Sequence, residues 1–391
     1  MPSRIHFVAA ILLTAYAMSF ASAEVPKLGI IGDSLSDEYA DQAGQAFDYS
    51  YAKNWNEQLV EAGIFDLGPT AAAAAQPGGT WGEPRRTGYQ YNYARYGAVT
   101  ADMKDVADGG MGLVSGLADQ QGEGITHIVA AIGANDFFPY PSAALFAAYP
   151  AIYFGHATGE QIDAVTADNM AVAHWALEQA QAVDTGNGRF VLANIPDYGV
   201  APYTWGYSEY TDPVGRERVT DVIRSVNAQL EEVASEFGIP VVDLFGFSKA
   251  VLGENSDPKD PLNYTIQFGG VDVYPLAIDT ETGINPYAGF VHDGMHPNTV
   301  MQGAFANLFL EAFNTYDGDN FTLMTEAQIL ANAGIPGGGP DTLFAQPQLA
   351  GFSGYSDFVI MPQPVPEPSS LALAVFGLVA VGALMARRRK K

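Results

Sequence analysis

Ser34 lies in Gly32-Asp33-Ser34-Leu35-Ser36-Asp37, just past the apolar run Leu28-Gly29-Ile30-Ile31. Far downstream, Asp293-Gly294-Met295-His296-Pro297 places an aspartate three residues before a histidine. A serine hydroxyl attacks a carbonyl only when a base takes its proton, and the base needs a carboxylate to orient it. An aspartate at that spacing can fold back in a single turn, so the Asp293 carboxylate can reach Nδ1 of His296. That leaves Nε2 for the serine hydroxyl. Gly97 and Asn135 end two further extended runs, so four polar or flexible positions fall at expected strand ends. Ser34 has a second reading at this point. Asp33 and Ser34 are also the residue types that cap a helix without doing chemistry.

The elements that must position these residues follow from the pattern of apolar residues. Residues 28–31 read as a buried first strand, with a helix expected to start at Ser34. Its own N–H would then face the reacting carbonyl near the positive end of that helix. Residues 54–61 are helix-periodic and stop at Gly63. Residues 91–96 alternate like a strand, residues 103–117 are weakly helical, and His127 to Ile132 is a continuous apolar run typical of a central parallel strand. Further strands are expected at 189–194 and 239–244, and helices at 161–183, 213–237 and 298–313. Residues 137–159 read as a loop or lid and 246–290 as a long irregular insertion. Strands alternating with helices predict an α/β fold, an open parallel sheet with helices on both faces.

Trp81, Arg85 and Arg86 sit on a glycine- and proline-rich loop, where they either face substrate or pin the loop. His127, His156 and His174 read as structural or surface residues. His292 lacks an acid three residues earlier and ranks below His296. Asp33 and Asp136 read as loop braces, and Asp37 and Glu38 as complements to a helix N-terminus. Asp317-Gly318-Asp319-Asn320 is acidic but lacks a full calcium loop.

The formal net charge is −26, which repels nucleic acid and anionic membranes. The chain has no cysteine, so thiolate metal sites, disulfides and cysteine nucleophiles are excluded. Residues 1–23 combine Arg4, a mostly apolar stretch and Ala21-Ser22-Ala23, the parts of a cleavable secretory signal. A membrane anchor is the other reading, for which the apolar run is short. At the far end, Val365-Pro366-Glu367-Pro368 precedes the apolar run 371–386 and the cluster Arg387-Arg388-Arg389-Lys390-Lys391. The apolar run is near the lower length limit for a transmembrane helix, with the basic tail expected on the cytoplasmic side. Residues 1–23 and 367–391 together carry a net charge of +5, so losing both takes the chain from −26 to −31.

Two resemblances follow. Gly32-Asp33-Ser34-Leu35, Asn92-Tyr93-Ala94-Arg95-Tyr96-Gly97-Ala98, Gly133-Ala134-Asn135-Asp136 and Asp293-Gly294-Met295-His296 resemble, in order, four blocks of the GDSL or SGNH esterases and lipases, over about 27–313. The resemblance implies a flavodoxin-like three-layer α/β/α sandwich and hydrolysis of carboxylic esters without a cofactor or metal. It implies Ser34 as nucleophile, His296 as base, Asp293 as its orienting acid, and an oxyanion hole of the Ser34 N–H, the Gly97 N–H and the Asn135 amide. Tyr96 departs from the small residues often found before that glycine and is expected to narrow the acyl site. The C-terminal end resembles the PEP-CTERM sorting signal of Gram-negative bacteria, which implies processing by an exosortase-type enzyme after a signal peptidase has acted at the other end.

The expected organisation is thus a signal peptide (1–23), a hydrolase domain (24–316), an appendage or linker (317–364) and a sorting signal (365–391). The expected location is outside the inner membrane, extracellular or on the cell surface after processing and otherwise anchored by the C-terminal helix. Expected substrates are lipid, short-chain acyl or acetylated polysaccharide esters. A non-catalytic surface, matrix or carbohydrate-binding protein that keeps the fold is the competing class.

Overall fold

A computed structural model describes residues 24–41, 50–137, 148–183, 189–203, 210–255, 259, 263–279 and 285–363. Residues 1–23 and 364–391, the expected signal and sorting segments, lie outside them.

Six strands form the main sheet: β1 (Leu28–Gly32), β2 (Asn92–Ala94), β3 (His127–Ala131), β4 (Arg189–Ala193), β5 (Val241–Val242) and β9 (Val359–Ile360). Their spatial order is β2-β1-β3-β4-β5-β9. The first five are parallel and β9 runs antiparallel to β5. The order 2-1-3-4-5 is that of flavodoxin-like folds, whose ligand crevice opens at the carboxyl ends of β1 and β3, where the winding reverses.

Successive strand residues point to opposite faces, and the core divides accordingly. Leu28, Ile30, Val129, Ala131, Val191, Ala193 and Val242 pack on one face. Ile31, Ile128, Ala130, Leu192 and Val241 pack on the other. This two-sided burial makes the strands read as continuous apolar runs.

Helices cover both faces. Helix α1 (Trp55–Glu61) starts at Asn54, whose side chain accepts from Glu57 N while the Glu57 carboxylate accepts from Asn54 N. Then come α2 (Leu113–Ala118), α3 (Ala148–Tyr153) and α4 (Gly159–Val183). Helix α5 (Pro213–Glu236) is capped by Asp212, has proline at its first position, and buries Val219, Val222, Ile223, Val226 and Leu230 on one stripe. Helix α6 (Leu244–Leu252) follows β5 directly. Helix α7 (Thr299–Ala312), capped by Asn298, is buried almost all round.

Three expectations are corrected. The 137–159 segment, expected as loop or lid, contains α3, although 138–147 lies outside the described residues. The described residues of 246–290 are regular rather than irregular: most of α6 is followed by a small sheet of β6 (Ile266–Phe268), β7 (Val271–Ile278) and β8 (Ala288–Phe290). Ile266, Phe268, Val273, Leu276 and Phe290 enter the same core as the main sheet.

Finally, much of the segment expected as appendage or linker folds onto that core. Helix α8 (Glu326–Asn332) buries Ile329 and Leu330, and Phe358 precedes β9, which closes the sheet edge. Buried Glu326 gathers this segment, accepting from Gly269 N, from Thr342 N at 2.7 Å and from Leu343 N at 2.8 Å. Asp319, in the stretch weighed for calcium, instead pairs with His127 Nε2 and Arg189 Nε, both at 3.1 Å.

Candidate active site

The site opens where β1 ends. Gly32 sits so close to β3 that an added Cβ would lie 2.8 Å from the Ala131 carbonyl oxygen. This contact is with backbone and cannot relax, so the residue before Asp33-Ser34 must lack a side chain. Asp33 N donates to Ala131 O, and the N–H groups of Ser36 and Asp37 both return to Asp33 O at 3.0 Å. Residues 33–37 therefore form one hydrogen-bonded turn, not the start of the expected helix, and any donation from Ser34 N comes from that turn. The Asp33 side chain accepts from Leu35 N at 3.0 Å, the bracing role expected of it. Burial pushes its carboxyl up to about 7 against the opposing pull of the Leu35 N–H and of His296 nearby.

Asp37 and Glu38 do not serve a helix N-terminus. Both are buried and clasp the neighbouring segment: Asp37 Oδ2 accepts from Tyr96 N at 2.8 Å and Glu38 Oε1 from Tyr89 N at 3.0 Å. Asp41 Oδ1 accepts from Thr87 N at 3.0 Å. Burial, then proximity of Asp41, raises Asp37 to about 8, and burial raises Glu38 well above the carboxylate range. These three residues are also the group of carboxylates that could hold a metal ion among the described residues. Arg95 and Arg86 lie beside them and already supply positive charge.

The second and third site segments meet each other. Arg95 N donates to Gly32 O at 3.0 Å and Ala98 N to Arg95 O at 2.9 Å, so 95–98 forms a turn anchored on the end of β1. Gly97 has φ +76°, a conformation that favours glycine, with no atom within 4 Å of where a Cβ would stand. Asn135 Nδ2 donates to Ala98 O at 2.9 Å, which ties its amide to the residue after Gly97. An amide group has two N–H donors, so this bond orients Asn135 and leaves one N–H to offer a ligand. Asp136 braces the loop as expected, accepting from Thr100 N at 2.9 Å and Thr100 Oγ1 at 2.6 Å. Burial lifts its carboxyl to about 6.

The last segment carries the residues expected as acid and base. Asp293 Oδ1 accepts from the N–H groups of Met295 and His296 at 2.8 and 3.0 Å, and Oδ2 lies 2.5 Å from His296 Nδ1. One carboxylate thus builds the turn with one oxygen and holds the imidazole with the other. Although burial opposes it, the Asp293 carboxyl is held below its ordinary value by His296 and by these bonds. His292 is set apart from this pairing: its backbone N–H meets Tyr51 Oη at 3.3 Å.

Two rings contact His296. Tyr96 stacks over it with centroids 5.9 Å apart and planes at 25°, and Tyr39 meets it edge-on at 6.1 Å and 84°. The sequence reading treated Tyr96 only as a bulky departure and did not single out Tyr39. The aromatic alternation in 91–96 was a signal, but only three dimensions show which ring faces the histidine. The loop residues Trp81 and Arg85 are pinned: Trp81 Nε1 donates to Gly88 O, Arg85 Nη1 to Gln90 O, and the guanidinium lies 4.7 Å from the Trp81 ring centroid.

Residues 28–309 match the GDSL-like Lipase/Acylhydrolase family, and residues 364–390 match the PEP-CTERM protein-sorting motif. No curated protein matches. Among solved structures, phospholipase A1 from Streptomyces albidoflavus NA297 is 15% identical, with 70% of this chain and 92% of that chain covered and a TM-score of 0.35. An extracellular lipase from Streptomyces rimosus is also 15% identical, with 60% and 86% covered and a TM-score of 0.32. A central, mostly parallel sheet with helices on both faces places the chain in the α/β class. The chain belongs to the GDSL-like lipase/acylhydrolase family, whose members hydrolyse ester bonds. Its C-terminal motif is one that directs secretion and sorting to the cell surface. Among the described residues no helix is long and apolar enough to cross a membrane, and the apolar run 371–386 lies outside them.

Proposed function

We propose that the protein is an exported carboxylic-ester hydrolase that works through an acyl-serine intermediate. The observation that carries this reading is the Asp293–His296 pair, in which Oδ2 holds Nδ1 at 2.5 Å and so commits Nε2 to the proton work. Ser34 Oγ attacks the ester carbonyl while Nε2 of His296 takes its proton. The carbonyl oxygen gains charge and is received by the N–H groups of Ser34 and Gly97 and by the Asn135 amide. The imidazolium then protonates the departing alkoxide, and the alcohol leaves. Water, deprotonated by His296, attacks the acyl-serine, and collapse returns the serine and a carboxylic acid.

The substrate class is a carboxylic ester of a lipid, a short acyl chain or an acetylated carbohydrate. Strongly anionic polymers are disfavoured by the acidic chain, which carries a formal charge of −26. Export is followed by removal of the tail by an exosortase-type enzyme. The test is a serine-directed phosphonate with mass spectrometry, alongside p-nitrophenyl esters and acetylated polysaccharides as substrates. Labelling of Ser34 together with turnover is expected. No label under conditions that label a control esterase refutes the reading.

A further inference from the structure

The ring stacked on His296 belongs to the same turn that presents Gly97. The Tyr96 backbone is anchored: its N–H donates to Asp37 Oδ2 at 2.8 Å, the Arg95 N–H before it donates to Gly32 O, and Ala98 O two residues on accepts from Asn135 Nδ2. Asp37 is itself buried three residues after Ser34. The serine turn therefore anchors the backbone that carries the Tyr96 ring. The two ring centroids are 5.9 Å apart with their planes at 25°, within the distance of a cation–π contact. The phenol of Tyr39, whose ring meets His296 edge-on, is held between Pro297 O and Gln302 Nε2, both at 2.7 Å.

We infer that Tyr96 is a positioning residue for the reaction, its ring face selectively stabilising His296 in the protonated form that arises when Ser34 attacks. The inference rests on His296 being the general base. The neutral imidazole of the ground state gains little from the ring quadrupole, and the imidazolium of the transition state gains more. An interaction that strengthens only along the reaction coordinate is read in kcat and leaves KM nearly unchanged.

The experiment places different side chains at position 96 of the full chain and measures kcat and KM on a p-nitrophenyl ester, with thermal unfolding recorded for each variant. Tyr96→Phe keeps the ring face and is expected within about 2-fold of the parent. Tyr96→Leu keeps the apolar bulk without the ring and is expected to lose about 2- to 30-fold in kcat, the range spanned by exposed to desolvated cation–π contacts. Pentafluorophenylalanine at 96 keeps the ring shape but reverses the sign of its face, and is expected to fall at least as far as leucine with KM unchanged. If the fluorinated and phenylalanine variants turn over equally, or if the losses appear in KM, the inference is overturned while the hydrolase stands. A parent chain that neither turns over esters nor labels at Ser34 overturns the hydrolase reading and the inference with it.

Discussion

Replacing Asp293 by asparagine separates what its two carboxylate oxygens do. Oδ1 accepts from Met295 N and His296 N at 2.8 and 3.0 Å, and an amide oxygen can take over both bonds. Oδ2, 2.5 Å from Nδ1, becomes an NH₂ group that donates where it formerly accepted. The imidazole then takes the opposite tautomer, with the proton on Nε2, and can no longer receive the serine proton. In the serine-protease triad that reversal costs about 10⁴ in kcat, or roughly 5.5 kcal/mol of transition-state stabilisation. The fold loses far less. One charge-assisted hydrogen bond becomes a neutral one of about half its strength, so stability falls by about 1–2 kcal/mol. Asp293→Asn should therefore lower kcat about 10⁴-fold on a p-nitrophenyl ester while the melting temperature drops by only a few degrees. A variant that keeps more than a tenth of the parent rate would show that His296 is not held in its working tautomer by Asp293. A variant that unfolds by far more than this would show that the carboxylate is chiefly structural.

Asn135→Ala removes one oxyanion donor and should cost about 10²–10³ in kcat with KM little changed; a normal kcat in a less stable protein would remove Asn135 from the site. Stability should fall as pH rises from about 5 to 8. Asp33 and Glu57, each raised to about 7, and Asp136, raised to about 6, keep protons in the folded state that the unfolded chain has already released. The depressed Asp293 acts oppositely, its contribution being lost only as pH drops below the ordinary carboxylate range. Calorimetry should show the melting temperature falling from about pH 5 to 8, and Asp136→Asn should reduce that decline; a melting temperature rising across that window would contradict the burial of these carboxyls. In a native host the mature protein should lack Arg387 to Lys391, and mass spectrometry finding that cluster on every exported molecule would leave a permanent anchor instead.

The main sheet was legible because β1, β3, β4 and β5 are buried on both faces and advertise themselves as apolar runs. The Asp293–His296 spacing was legible because a single turn fixes what three residues can reach. Less was visible where tertiary contacts decide. Strand β9 has two residues, too few for any period to register, and exists because β5 offers an open edge. The insertion 246–290 hides β6, β7 and β8 because β7 exposes part of its length and β6 and β8 have three residues each. Asp37 and Glu38 looked like helix-end carboxylates because their partners, Tyr96 N and Tyr89 N, lie more than fifty residues away. The serine turn shares with a helix start its Asp-Ser residue types and an i to i+4 bond, here from Asp37 N to Asp33 O, so residue type alone does not separate the two.

Strand β9 ends at Ile360, only six residues ahead of Pro366, the first proline of the Pro-Glu-Pro motif. Six fully extended residues span at most about 20 Å. The apolar run begins at Leu371, so at most about 35 Å of chain, the ten residues 361–370, separates the sheet edge of a hydrolase still attached by its tail from the start of its anchor. A processing enzyme would have to cut inside that gap, and the substrates within reach before release would be those presented at the membrane face.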